Sequence, residues 1–257
     1  MAQASKADHV ELLRQVLWIA LTLRDEVELY ARQFCHVQSA LQWVFRQYES
    51  DDDFPTQLTV LGSGFFWSEL KRAEAVIAPL SYASYRLQRD ENTLGDVVIS
   101  YRNIYSGFRQ DFSSSRRDEL VTCVEARWLQ CEQPLFILGY ALHPGYAESA
   151  RALPDTKVSG FGQLPKIAVY YYQRLFETED VGTIRMDMFA WMEGTFTRTK
   201  ASEYNDCLWE YWRYLAKESP DSLLPQLVLV VLSVAVNTAT CERLFSELGL
   251  IHTARRK

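Results

Sequence analysis

The sequence predicts an all-α protein of two helical units, an N-terminal bundle over residues 1–200 and a C-terminal segment over 203–257. Three observations predict it. Apolar residues recur at i, i+3, i+4 and i+7 in segment after segment, the period of one helix face. Gly, Pro and Asp clusters separate those segments, as expected of connecting turns. Near the C-terminus, Leu227 to Val236 is apolar at every position but Ser233. A helix apolar on all sides must be covered on all sides. Asp221 or Ser222 can cap that helix, and Pro225 falls in its first turn, where a missing N–H costs little. A central strand is the alternative reading of this Val-rich run, because periodicity alone does not separate the two.

In chain order, residues 10–48 read as one long or two shorter helices. Leu13, Val16, Leu17 and Ala20 hold the first stripe; Leu41, Val44, Phe45 and Tyr48 hold the last. Glu49 to Asp53 is an acidic run read as a solvated loop, with divalent-cation binding as the weaker alternative. Gly62-Ser63-Gly64 breaks the chain ahead of a strong helix whose inner face runs through Phe66, Leu70, Ala73, Ile77, Leu80 and Leu87. Pro79 is expected to kink or end it. Thr93 caps a helix running to Phe108, and Arg117 to Leu129 forms another. Gly139 to Gly160 reads as loop. Helices are then expected over Ile167–Phe176, Thr183–Phe196 and Asp206–Ala216. The last carries Trp209, Trp212 and Leu215 at helical spacing, with Tyr211 flanking. A buried face is the first reading, and base stacking by the tryptophans the second.

Composition narrows the function. The 257 residues are 48% hydrophobic and 13% aromatic, enough for a proper core and against disorder. A net charge of −6 argues against a chain whose whole task is gripping phosphates, so DNA contact would be local. The five cysteines show no CxxC pairing and the four histidines no zinc-finger spacing; the thiols are expected reduced and mostly buried. Cys35-His36 is adjacent but lacks further ligands. No signal peptide is visible, and the ten-residue apolar run is about half the ~20 residues a membrane crossing needs. A nuclear or cytosolic protein that is neither secreted nor membrane-bound is the expectation.

Beyond Val236, Asn237-Thr238 suits the cap of a new helix. Cys241, Leu244, Phe245 and Leu248 form its apolar stripe, and Gly249 stands where a C-terminal cap is expected. Glu242 lies at the edge of that stripe. In a first turn a carboxylate is favoured by the helix dipole, which is a sufficient structural reason for it.

The tail also carries a resemblance. Asn237-Thr238-Ala239-Thr240-Cys241-Glu242-Arg243-Leu244-Phe245-Ser246, then Gly249-Leu250-Ile251-His252-Thr253 and Arg256, resembles the C-terminal signature of the hAT superfamily of DNA transposases. Upstream, Phe66-Trp67-x-x-Leu70, Pro79-Leu80, Leu87-Gln88, Thr93-Leu94-Gly95-Asp96-Val97, Arg127-Trp128 and Ala141-Leu142-His143-Pro144-x-Tyr146 resemble the helical insertion domain of those enzymes. The likeness spans roughly 20–256, with a poor stretch near 147–205.

The resemblance implies a transposase-like insertion domain followed by C-terminal helices of a ribonuclease-H-like domain whose sheet is absent. It marks the tail as a dimerisation region, with Leu224, Leu227, Val228, Val231, Leu232, Leu244, Phe245 and Leu248 as its apolar contacts. It makes Glu242 the vestige of the third carboxylate of an Asp-Asp-Glu site. Such sites cut DNA with two metals, and Mg²⁺ needs several oxygen ligands. The two aspartates and the zinc-binding DNA-recognition domain are expected to be missing, so no cofactor is expected on this chain alone; Mg²⁺ would enter only if another chain or upstream sequence completed the site. The family's Arg-Trp pair is also missing at the corresponding position near His9-Val10, and the sequence stops at Lys257 where the family usually continues. The implied function is association with a second copy or a related transposase chain in the nucleus, without autonomous catalysis. The alternatives are one part of an active transposase, and weak DNA binding through Arg255, Arg256 and Lys257.

Overall fold

The computed structural model describes residues 35, 37–50, 56–89, 91–111, 114–204, 207–236 and 245. Of these 72% are helical, and no strand or sheet occurs among them. The all-α expectation holds at that level. The helices are α1 Gln38–Tyr48, α2 Gly64–Leu87, α3 Leu94–Asp111, α4 Ser114–Trp128, α5 Gln133–Leu142, α6 Ala147–Arg151, α7 Leu164–Phe176, α8 Ile184–Glu193, α9 Leu208–Glu218 and α10 Leu224–Leu232. Short 3-10 segments occupy Thr56–Gly62 and Ala201–Tyr204.

The compact units divide elsewhere than near residue 200. One comprises the described residues up to Ser84 together with Ser106–Arg117; the other comprises Tyr85–Tyr105 and the described residues from Asp118 on. In the first, α1 packs on the 3-10 segment, and the Phe45 ring lies against Gly62, where a Cβ would collide with it. Trp67 is buried and donates its indole N–H to the Leu61 carbonyl at 2.7 Å. The buried positions of α2 are Trp67, Val76, Ile77 and Ser81, so its inner face is centred beside Phe66 rather than on it. Helix α2 does not end at Pro79 but runs through it to Leu87. Gly107 of α3 lies beside the Pro79 ring, and a Cβ there would come within 3.1 Å of it.

The second unit holds the main core. Helix α5 starts with a proline in its first turn and buries six successive residues, Ile137 to Leu142. Its sequence, QPLFILGYAL, offers no polar face to water, so it takes a central place. This overturns part of the loop expected over 139–160: α5 runs to Leu142, and α6 covers Ala147–Arg151. The glycine at 139 is there for packing, not turning. A Cβ on it would come within 2.7 Å of the Leu94 Cβ, so its absence lets α3 approach α5 closely.

Helix α10 is the second central element, packed by α5, α7, α8 and α9. Pro225 sits in its first turn as expected, and the helix ends at Leu232 with Ser233 as its C-cap. The N-cap residue is Leu223, with no side-chain cap, so neither Asp221 nor Ser222 caps the helix as expected; of the two, Ser222 still reaches the helix start. Its hydroxyl accepts the Leu224 N–H at 3.3 Å and donates to Asp187 Oδ2 at 2.7 Å. Asp187 also accepts from the Thr183 hydroxyl, so one carboxylate ties the starts of α8 and α10 together. Leu224, Leu227, Val228 and Val231 are 0% exposed and Leu232 5%. Burying each such side chain contributes about 1.5–3 kcal/mol. The cover that the sequence reading assigned to a partner chain is therefore intrachain for these five residues: the chain's own α5, α7, α8 and α9 supply it.

Two aromatic side chains close the core around α8 and α9. Trp191 donates its indole N–H to the Ala141 carbonyl at 2.8 Å, satisfying one of the last carbonyls of α5. The Trp191 and Trp212 rings lie 4.8 Å apart. Arg151 donates to the Trp191 carbonyl at 3.0 Å, near the end of α8, where Gly194 takes a left-handed φ of 77°.

Candidate functional site

At the C-terminal end of α10, where Ser233 to Val236 leave the helix, lies a cavity of about 320 Å³. Its walls include Trp209 and Trp212 of α9, Leu229 and Leu232 of α10, and Val234 and Val236 beyond it. Arg89, Glu91, Asn92 and Thr93, from the turn ahead of α3, give it a polar side. The sequence explains the arrangement. Trp209 and Trp212 are three apart on α9, and α9 packs on α10, so the two indoles face the exit of the apolar run. Trp212 is fully buried, while Trp209 keeps 44% of its surface exposed. Tyr211, expected to flank the buried face, is itself buried, with burial pushing its phenol up to about 12.

Beside this cavity two of the resembling motifs meet. The Tyr146 hydroxyl donates to Asp96 Oδ1 at 2.7 Å. The other oxygen of Asp96 accepts the Thr93 N–H at 2.9 Å and the Thr93 hydroxyl at 3.1 Å. The acid thus reaches back to the residue before the helix, as in one half of a capping box. The His143 ring stacks on Tyr146 with centroids 4.2 Å apart, and its Nδ1 accepts the Gly145 N–H at 3.1 Å. Burial, then the hydrogen bond and charge of Asp96, push the Tyr146 phenol up to about 12, against a smaller downward effect of Arg86. Tyr146 is therefore a neutral donor at physiological pH. The cluster holds the start of α3 to the chain beyond α5 through donors that all converge on one buried carboxylate.

Similar polar ties recur. Tyr171 donates to Glu132 Oε1 at 2.6 Å, joining α7 to the residue before α5, and burial raises its phenol. Tyr101 and Cys131 are hydrogen-bonded at 3.3 Å, and burial pushes the Tyr101 phenol up to about 12. A second cleft, about 290 Å³, lies between α3 and α4 and is walled by Tyr101, Tyr105 and Trp128.

Other expected site residues fall as follows. Phe245 is helical and 71% exposed. Glu242, Leu244, Leu248, Arg255, Arg256 and Lys257 lie outside the described residues, as do His36, the aspartates at 51–53 and Cys241. The four described cysteines are free thiols, but none is fully buried, contrary to expectation, and Cys123 is exposed. No group of three or more His, Cys, Asp or Glu side chains among the described residues could hold a metal ion. No helix among them is long and apolar enough to cross a membrane. Nothing in the sequence pattern marks the cavity, because α10 is apolar at nearly every position and gives no sign of an unfilled hollow.

Fold and cavity together define a class: an all-helical protein with an apolar hollow at the open end of a buried helix. Compared with known proteins, the chain matches no family model, no curated protein and no solved structure.

Proposed function

We propose that this chain is a helical protein of hAT-transposase descent that works by associating with another protein chain in the nucleus, without cutting DNA by itself. The observation that carries the reading is Phe245, a phenylalanine 71% exposed within the stretch that resembles the transposase dimerisation region. A large apolar side chain left in water is ordinary when single; on the same chain Trp209, at 44% exposure, and a cavity with apolar walls offer further exposed apolar surface. Leu224, Leu227, Val228, Val231 and Leu232 are buried in the chain's own core, so the reading rests on that hollow and the residues after it.

Gel filtration with in-line light scattering tests the reading. The purified chain is expected to elute with a mass above that of one chain at micromolar concentration. A single-chain mass throughout the peak would overturn it.

A further inference from the structure

Three tryptophans are buried among the described residues: Trp67, Trp191 and Trp212. Trp67 donates its indole N–H to the Leu61 carbonyl, and Trp191 donates to the Ala141 carbonyl. Trp212, at 0% exposure, has no acceptor for its own. Its ring packs against Trp191 and Tyr211, with centroids 4.8 and 5.5 Å away. A buried N–H without an acceptor costs stability, which is why such groups are rare. Trp212 is also one wall of the cavity at the end of α10, all of whose lining lies in the second unit. We propose that this cavity binds a small, uncharged ring compound whose carbonyl oxygen accepts the Trp212 N–H. Such a ligand is independent of the association proposed above, which is read from Phe245, a residue that does not line the cavity.

The remaining walls set the rest of the ligand. Trp209, Leu229 and Leu232 are apolar, so most of the molecule is hydrocarbon. The volume, about 320 Å³, is roughly twice the ~150 Å³ that accepts benzene, which leaves room for two rings. Trp209, 44% exposed, offers its indole to an aromatic ring. On the polar side Arg89 is matched by Glu91, and both are exposed. One neutral N–H does not offset the cost of taking an anion out of water, so the ligand is neutral. A carbonyl needs only a donor, whereas a hydroxyl brings a second donor that must itself be satisfied.

The test titrates two probes into the full chain labelled with 15N at its indole nitrogens. One is 1-indanone, a flat two-ring ketone; the other is indane, the same skeleton without the oxygen. Binding is followed in 1H–15N correlation spectra, with the Trp212 signal assigned by its loss in Trp212→Phe. 1-Indanone is expected to move the Trp212 Nε1 proton downfield and to disturb Trp209, while Trp67, in the first unit, stays unmoved. Indane is the more hydrophobic probe, so burial alone favours it. The ketone is nonetheless expected to bind about tenfold tighter, because indane leaves the N–H unsatisfied. In Trp212→Phe that preference disappears; if the variant does not fold, the two affinities for the wild-type chain still decide. Indane binding as tightly as 1-indanone overturns the proposal, as does a Trp212 signal that 1-indanone does not move. Both readings hold whether the chain is single or paired, so failure here leaves the association standing.

Discussion

Tyr146 reaches across fifty residues of sequence to donate a 2.7 Å hydrogen bond to Asp96, whose other oxygen caps the start of α3. Removing the hydroxyl leaves a largely buried carboxylate short of one donor. Tyr146→Phe should therefore destabilise the fold by about 1–3 kcal/mol in urea unfolding, with little change in the slope. An unchanged midpoint would mean that water replaces the bond at no cost.

The raised tyrosines set the alkaline limit. A phenol whose folded value lies above its unfolded one binds its proton more tightly when folded. The stability it adds is complete below the unfolded value near 10 and is lost as pH climbs toward about 12. Unfolding should begin in that window, with Tyr146, Tyr101 and Tyr211 ionising late in a phenolate absorbance titration. Tyrosines that all ionise together near 10 while the helical signal persists would refute this.

Trp191 and Trp212 are tilted ring neighbours in one core, but only Trp191 has a partner for its indole N–H; Trp212 Nε1 has none. Replacement by Phe removes similar volume at both sites. Trp191→Phe should cost about 1–3 kcal/mol more than Trp212→Phe, because it also orphans the Ala141 carbonyl. Equal losses in chemical denaturation would show that the hydrogen bond contributes nothing net.

Gly139→Ala reverses a general rule. In an ordinary helix interior the change gains about 1 kcal/mol. Here the added Cβ meets that of Leu94 at 2.7 Å, and overpacking of this kind costs about 1–3 kcal/mol. A thermal midpoint that falls confirms the close approach of α3 to α5; one that rises contradicts it.

Helix α10 is core, and its residues should behave as core. Leu227→Ala should lose about 2–5 kcal/mol of folding stability at any protein concentration. If instead Leu227→Ala stays as stable as wild type and only weakens association, α10 faces a partner after all.

Much of this architecture was readable in the sequence, and the misses have physical causes. Helices with one apolar stripe, such as α7, α9 and the α3 segment after Thr93, announce themselves by period. Helix α5 does not, since a segment buried on every side has no stripe, and its glycine and the following Pro144-Gly145 mimic a turn. The apolar run of α10 was legible as something that must be covered, but sequence alone does not say by which chain. Burial within the chain's own core settles it for Leu224, Leu227, Val228, Val231 and Leu232. The cavity depends on the distance left between two helices and a turn over a hundred residues away, and no periodicity encodes that.

Sedimentation velocity over a dilution series through the micromolar range, comparing wild type with Phe245→Ala, tests the proposed association most directly. The account predicts a wild-type species of twice the chain mass that separates into single chains on dilution, with the variant single at concentrations where wild type is paired. A wild-type chain that sediments as one copy at every concentration would contradict it.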